Sequence, residues 1–138
     1  MAVKYSNAQV DGYPLMWEIA KSFRFEAAHT LCRAVDGEAS SRIHGHSYRA
    51  KVTIRGVPDP ATGMIVDLGA FERALMNVRE LLDHRFLDEV SDLGPATLEN
   101  LCTFIWERVA RDVSGLAKVT VHRDSQGESS SYLGPTPT

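Results

Sequence analysis

Two stretches of alternating apolar and polar residues predict the two longest elements of this chain. From Trp17 to His29 one parity is mostly apolar and the other mostly polar, which is typical of a strand with one buried face. Alternation resumes at His44 and stops at Gly56-Val57-Pro58-Asp59-Pro60. Residues 30–43 follow neither period and are predicted to form a long loop, and loops of this length are often functional.

Two helices are predicted next, each from apolar residues spaced by threes and fours. Asp67 is a candidate N-cap for the first helix, whose apolar stripe runs from Leu68 to Leu82. The second helix follows Gly94-Pro95, with Thr97 or a neighbour as its cap. Both stripes are wide enough to cover one face of a sheet.

Two further strands complete the predicted fold. Leu116 to His122 is expected to be the third strand and Ser129 to Leu133 the fourth. The resulting order predicts an α+β fold, a four-stranded antiparallel sheet with two helices on one face. A single domain over 1–138 is expected, with a core of about 17–134 and flexible terminal segments. The open sheet edges favour assembly of identical copies about a symmetry axis.

Composition narrows the class of partner. Eighteen acidic against fifteen basic residues give a formal charge of -3, so no long-range basic field attracts nucleic acid. Two cysteines are too few for a disulfide framework, and no apolar stretch is long enough to span a membrane. The first residues contain no apolar signal-peptide core. We therefore expect a cytoplasmic protein that binds neither nucleic acid nor membrane.

Three histidines carry the strongest chemical signal. The two-residue period of a strand places His44 and His46 on the same face, and Gly45 leaves space beside them. If the first two strands are neighbours, His29 reaches the same point, and three neutral imidazoles with one open position describe a catalytic zinc site. Imidazole also suits iron, copper and nickel, so the metal type stays open. The alternative is a chance grouping of polar residues.

A second candidate is the pair Asp83-His84 at the end of the first helix. A carboxylate and an imidazole can act as an orienting group and a general base. Adjacent residues on a helix do not face each other, so the pair needs a terminal or loop geometry. On these residues alone, a histidine favoured by the helix macrodipole is the simpler interpretation.

Five segments in this order resemble the 6-pyruvoyltetrahydropterin synthase and 6-carboxytetrahydropterin synthase family. The resemblance covers roughly residues 17–134. The segments are Phe25-Glu26-Ala27-Ala28-His29, His44-Gly45-His46-Ser47-Tyr48, Gly63-Met64-Ile65-Val66-Asp67-Leu68, Leu82-Asp83-His84-Arg85-Phe86-Leu87-Asp88 and Thr97-Leu98-Glu99-Asn100.

The resemblance implies a tunnelling fold that assembles into a barrel-like homo-hexamer of two stacked trimers, with sites at subunit interfaces. It implies zinc as cofactor and 7,8-dihydroneopterin triphosphate, or a related pterin-like molecule, as substrate. The implied reaction eliminates triphosphate with rearrangement or cleavage of the side chain, and it feeds biopterin or queuosine-type deazapurine synthesis.

The resemblance also assigns roles to residues that match the family motifs. By this match the zinc ligands are His29, His44 and His46, the proton-relay pair is Asp83 and His84, and the pterin contacts are Thr97 and Glu99.

Two positions depart from the family pattern. Ser40 stands where the family usually has its catalytic cysteine, and a hydroxyl is a much weaker base or nucleophile than a thiolate. Ser41, Glu38 or a repositioned Cys32 are the alternatives for the missing group.

Arg123 stands where the family usually has the glutamate that grips the pterin edge. Arginine only donates hydrogen bonds, so it cannot accept from that edge. Asp124 or Glu128 is a possible substitute after a small register shift, and a one-residue error in the match is the alternative explanation.

Three functional hypotheses follow. The retained histidines favour a zinc-dependent pterin-type lyase, whereas Ser40 and Arg123 favour a non-catalytic or retasked homologue that binds a pterin-like or purine-like ligand. The third hypothesis, a structural metal protein, needs a fourth ligand, and the sequence offers no obvious one.

Overall fold

The computed structural model of the chain describes residues 9–10 and 12–136. Short 3-10 turns at Leu87–Glu89 and Asp124–Gln126 join some of the elements. The strands and helices are β1 (Gln9–Val10), β2 (Tyr13–Pro14), β3 (Trp17–His29), α1 (Gly37–Ser41), β4 (His44–Gly56), α2 (Leu68–Leu82), β5 (Arg85–Phe86), α3 (Leu98–Val109), β6 (Leu116–Arg123) and β7 (Glu128–Tyr132).

The predicted α+β class is confirmed, and the structure extends the predicted sheet. β3, β4, β6 and β7 pair antiparallel in that order, as the alternating patterns predict. β5 joins the edge of β3 as a short parallel strand, opposite Ala27 and Ala28. The loop predicted between β3 and β4 contains the five-residue helix α1. β1 and β2 form a separate two-stranded sheet.

The core lies between one face of the sheet and the helices α2 and α3. Phe25 of β3 stacks on Tyr48 of β4 with a centroid separation of 4.8 Å, and both rings are buried. Leu75 and Leu101, on the apolar stripes of the two helices, are fully buried in the same cluster. Burial of a large apolar side chain contributes about 1.5–3 kcal/mol, so this layer is the main source of stability.

Both predicted helix caps are present. The Asp67 carboxylate accepts a hydrogen bond from the Ala70 backbone N–H at 3.0 Å. The Thr97 hydroxyl accepts one from the Asn100 N–H at 3.1 Å. Each cap satisfies a backbone donor that the first helical turn leaves unpaired, and the cap of α3 also fixes the segment that reaches the histidines.

Register brings the chemistry to one end of the sheet. β3 and β4 pair without interruption from Trp17 opposite Gly56 to His29 opposite His44. The flexible ends expected from the sequence lie partly outside the described residues, since 1–8, 11 and 137–138 are not described. Within the described ranges, no helix is long and apolar enough to cross a bilayer.

Candidate metal centre and adjoining cavity

The three predicted ligand histidines meet at the end of β3 and the start of β4. His29 is fully buried, whereas His44 and His46 are partly exposed. The Nε2 atom of His29 lies 2.9 Å from Nε2 of His44 and 3.1 Å from Nε2 of His46. One candidate ligand atom from each ring lies within 4.8 Å of the others, and among the described residues this group has three members.

Backbone carbonyls hold two of the rings in one tautomer. His29 Nδ1 lies 2.8 Å from the Ala96 carbonyl oxygen, and His44 Nδ1 lies 2.8 Å from that of Arg42. Because a carbonyl can only accept, each Nδ1 must carry the proton, and the Nε2 of each neutral ring presents a lone pair.

In these tautomers the Nε2 lone pairs of His29 and His44 point at the same place. Two unprotonated Nε2 atoms 2.9 Å apart repel each other unless a proton or a cation lies between them. Three imidazole nitrogens with room for a further ligand are a donor set that suits zinc. The residues therefore fit the metal that the sequence analysis expects.

The surroundings of His29 and His46 favour the neutral imidazole. Burial is the largest cause that lowers the pKa of His29 below its ordinary value of 6.5. Burial, and after it the neighbouring Arg123 charge, lowers the pKa of His46 to about 4. Neutral imidazole is the form that binds a metal.

A polar cavity of about 350 Å³ adjoins the histidines. His44 and His46 form part of its wall, and the other wall residues come from the loop after β3, α1 and the β6–β7 turn. They are Leu31, Arg33, Asp36, Ala39, Ser40, Arg123, Gln126 and Glu128.

Ser40 borders this cavity, and its hydroxyl is bonded within its own helix. Its side chain is buried, and its hydroxyl donates to the Gly37 carbonyl of its own helix at 3.1 Å. Ser41 donates in the same way to the Glu38 carbonyl at 2.9 Å. A hydroxyl bonded to a carbonyl gains no basicity from that bond, because its own proton is the one that is donated.

The other candidates for the role of the family cysteine do not line the cavity beside the histidines. The Glu38 carboxylate is largely exposed and forms an ion pair with Arg42 at 2.8 Å. Cys32 is exposed and borders a different, more apolar cavity of about 490 Å³. Of the side chains considered for that role, Ser40 is the one that shares the cavity with the histidines.

Arg123 faces the same cavity from the end of β6. It follows the buried residues Val119 and Val121 at a spacing of two, and its side chain is 16% exposed. One guanidinium nitrogen lies 2.5 Å from a Glu128 carboxylate oxygen, and another lies 3.4 Å from His46 Nε2.

The register of β6 also separates the two acidic substitutes. Glu128 stands directly opposite Arg123 in the β6–β7 pairing and borders the cavity. Asp124 turns away from it and binds Arg49 at 2.9 Å. Of the two acidic substitutes, Glu128 is therefore the one that borders the cavity.

Asp83 and His84 have the terminal geometry that the sequence requires of them. Asp83 is the C-cap of α2, and His84 adopts φ 57°, a left-handed conformation that is rare for a non-glycine residue. In this conformation His84 Nδ1 lies 2.9 Å from the Asp83 carboxylate, although the two residues are adjacent in the chain.

The pair is attached to β3 through Asp83, and its His84 side chain is open to solvent. Asp83 accepts a hydrogen bond from the Glu26 N–H at 2.9 Å, which is the largest cause that lowers the pKa of this carboxyl group. The His84 side chain is 79% exposed. It borders an open depression of about 500 Å³, which His46 and Gly45 also line.

The expected pterin contacts lie elsewhere in the single chain. Thr97 borders the 490 Å³ cavity and caps α3, while Glu99 is exposed in the first turn of that helix. Neither residue lines the cavity beside the histidines.

Sequence reasoning missed the role of Asp88. Its carboxylate accepts hydrogen bonds from the Thr30 N–H at 2.9 Å and from the Thr30 hydroxyl. These bonds fix the chain directly after His29. The position of Asp88 at the end of the Leu82–Asp88 motif was the available signal.

A three-histidine centre at the end of an antiparallel sheet, with a polar cavity beside it, defines a candidate metal-binding α+β protein. The family model described as 6-pyruvoyl tetrahydropterin synthase matches residues 18–134. The chain belongs to this family, which confirms the resemblance found in the sequence.

Individual relatives agree with this assignment. A 6-pyruvoyl tetrahydrobiopterin synthase from Drosophila melanogaster is 33% identical over 101 residues, which are 68% of this chain and 60% of that protein. A 6-carboxy-5,6,7,8-tetrahydropterin synthase from Synechocystis is 34% identical over 112 residues, 77% of this chain and 85% of that protein. The chain spans 60%, 49% and 63% of the first three curated relatives it matches.

The fold agrees as well. The solved structure of Caenorhabditis elegans 6-pyruvoyl tetrahydropterin synthase superposes with a TM-score of 0.76 at 27% identity, covering 87% of this chain and 96% of that chain. A 6-pyruvoyl tetrahydropterin synthase structure from Plasmodium vivax gives a TM-score of 0.67 at 15% identity, which supports the fold alone.

Proposed function

We propose that the chain is a zinc-dependent member of the family that binds 7,8-dihydroneopterin triphosphate or a related pterin-like molecule. The observation that carries this proposal is the convergence of three histidine Nε2 atoms, two of them oriented by backbone carbonyls. Such an arrangement has a high cost in an apolar fold unless a metal uses it.

The chain's own groups supply distinct parts of the chemistry. His29, His44 and His46 hold the zinc, which when bound polarises an oxygen of the substrate. The carboxylate of Asp83 orients His84, whose Nε2 is then free to take up or release a proton.

We propose that the site is completed in a homo-hexamer in the cytoplasm. Along the outer edge of β3 the described residues pair with β5 at Ala27 and Ala28, and no described strand pairs along 18–26 of that edge. A neighbouring copy that pairs there covers these backbone groups. We expect the neighbouring copy also to bring side chains to the exposed His84. The site would then lie at a subunit interface, as the family resemblance implies.

The decisive experiment is incubation of the zinc-loaded protein with dihydroneopterin triphosphate, with mass spectrometry of the products and measurement of released triphosphate. Conversion that is slow in both family reactions is the expected result, because the Ser40 hydroxyl is a weaker base than a thiolate and already donates to the Gly37 carbonyl. His46→Ala is the matched control and should abolish the remaining turnover. Efficient conversion by the wild-type protein would contradict the expected role of Ser40.

A second candidate function is ligand binding without the family reaction. Two observations favour it, the Ser40 hydroxyl committed to its own helix and the Arg123 cation in place of a carboxylate. Tight binding of a pterin with no product after prolonged incubation would select this function over the first.

A further inference from the structure

We infer that Arg123 makes the cavity beside the histidines a carboxylate site, so that the ligand of this protein carries a carboxylate at that point. The inference rests on the proposed function only for the pterin-like ring of the ligand. The anion specificity itself depends on the groups that line the cavity.

Arg123 has more hydrogen-bond donors than its contacts in the cavity occupy. A guanidinium has five N–H groups and no acceptor. One nitrogen binds Glu128 at 2.5 Å, and a second has only the long 3.4 Å contact with His46 Nε2. If His46 Nε2 binds zinc, it can no longer accept from Arg123, and that donor loses its partner.

One donor of Arg123 is already buried without a hydrogen-bond partner. Among the described residues, the buried side-chain polar atoms without a hydrogen-bond partner are Arg123 Nε and the Tyr48 hydroxyl. The Tyr48 ring lies next to the ligand histidines, 5.7 Å from the ring of His46. The Tyr48 hydroxyl also lies within range of the Arg123 charge, but neither atom has a partner at hydrogen-bond geometry, and an acceptor from a ligand would remove the cost of the buried Arg123 donor.

The kind of ligand group that can pair with Arg123 follows from the donors of the guanidinium. Because Glu128 already binds one terminal nitrogen of the guanidinium, a ligand carboxylate is offered the remaining N–H groups, whereas the N–H groups of a pterin edge offer donors to donors. Arginine is therefore suited to a different part of the ligand from the part that a glutamate holds.

The charge of the cavity wall limits the charge of the ligand group. The charged side chains of the cavity wall are two cations, Arg33 and Arg123, and two anions, Asp36 and Glu128, so these side chains sum to zero, and a zinc ion at the histidines would add two positive charges that attract an anion of either kind. A single carboxylate gains the Arg123 contact while adding one negative charge. A phosphate dianion adds two beside Asp36 and Glu128, and we therefore select a carboxylate.

The test compares two fluorescent ligands that differ at one group, pterin-6-carboxylate and 6-hydroxymethylpterin, by anisotropy titration of the zinc-loaded protein. The wild-type protein should bind the carboxylate at least about tenfold more tightly, as expected for a charge-assisted bond. Arg123→Gln should remove this preference. Arg55→Gln removes the same charge from the exposed Glu18 ion pair and should retain it.

Two more variants exclude a folding explanation. Glu128→Gln removes the negative charge that competes for Arg123 and should tighten carboxylate binding, whereas damage to the fold would weaken it. Arg123→Lys keeps the charge but loses the paired donors, and should give an intermediate preference. Equal affinity of the wild-type protein for both ligands, or a preference that survives in Arg123→Gln, would overturn the inference.

A separate arm distinguishes failure of this inference from failure of the proposed function. If neither pterin binds, the proposed ligand class is wrong, and benzoate is titrated instead with NMR line broadening as the readout. Broadening that depends on Arg123 would support the carboxylate site, and its absence would overturn it. Inorganic phosphate that competes better than benzoate would overturn the choice of carboxylate.

Discussion

Removal of His46 is the sharpest test of the metal centre, because the described part of the chain offers three ligands and no substitute. We expect about one zinc per chain in protein purified without chelator. In His46→Ala two imidazoles remain, and a two-ligand site does not retain zinc through purification. Elemental analysis gives the stoichiometry directly.

The same variant gives a thermal readout. A metal present at about 1,000 times its dissociation constant stabilises the folded state by about 4 kcal/mol. For a chain of this size, about 4 kcal/mol corresponds to roughly 10–15 °C in Tm. The wild-type protein should lose most of that margin on chelation. His46→Ala should show almost no change when zinc is added or removed.

His84→Ala is the matched control, since it also removes one imidazole but its side chain is 79% exposed and outside the triad. It should retain both the zinc and the thermal shift. Stoichiometric zinc in His46→Ala would show that the metal lies elsewhere, and loss of zinc in both variants would show that the assay reports a general defect.

Four further predictions follow from other contacts. Light scattering should give a mass of about six chains, and a 15.3 kDa monomer would contradict the proposed pairing at the β3 edge. Asp88→Asn should weaken zinc binding by about tenfold in a competition titration, because it loosens Thr30 directly after the first ligand. The lowered pKa of Asp83 adds stability that is fully present well above pH 3.8 and is lost as the pH falls through the lower folded value, so Asp83→Asn should flatten acid unfolding curves below about pH 4. Ser40→Cys should recover some turnover of dihydroneopterin triphosphate, and more when combined with Arg123→Glu; no product from the double variant would favour a binding role.

The long elements could be predicted because each carries its own period. The bounds of β3 agree with the alternation from Trp17 to His29, and α2 begins after the predicted cap Asp67. β5 has two residues and α1 has five, which is too short for any period to show. β5 depends on its pairing with β3, whereas α1 is a single short segment held by bonds within its own loop, so neither shows a period.

The candidate site also has a part that the sequence predicts and a part that only the structure shows. Strand parity alone placed His44 and His46 on one face, and the antiparallel pairing added His29. The carbonyl groups of Ala96 and Arg42, which select the tautomers, are backbone atoms that every residue possesses. No residue type marks them in the sequence, so the orientation of the ligands required the structure.

The two kinds of site residue differ in how strongly the fold constrains them. Replacing His29 would leave the Ala96 carbonyl without its partner and open a gap in a fully buried position, so the metal centre changes only at a cost to stability. Ser40 is bonded within its own helix to Gly37, and Arg123 is held by the facing Glu128 while its Nε stays unpaired, and both residues line the cavity. The cavity can therefore acquire a new ligand specificity while the metal centre is kept, and this is the combination of retained and altered residues that the chain presents.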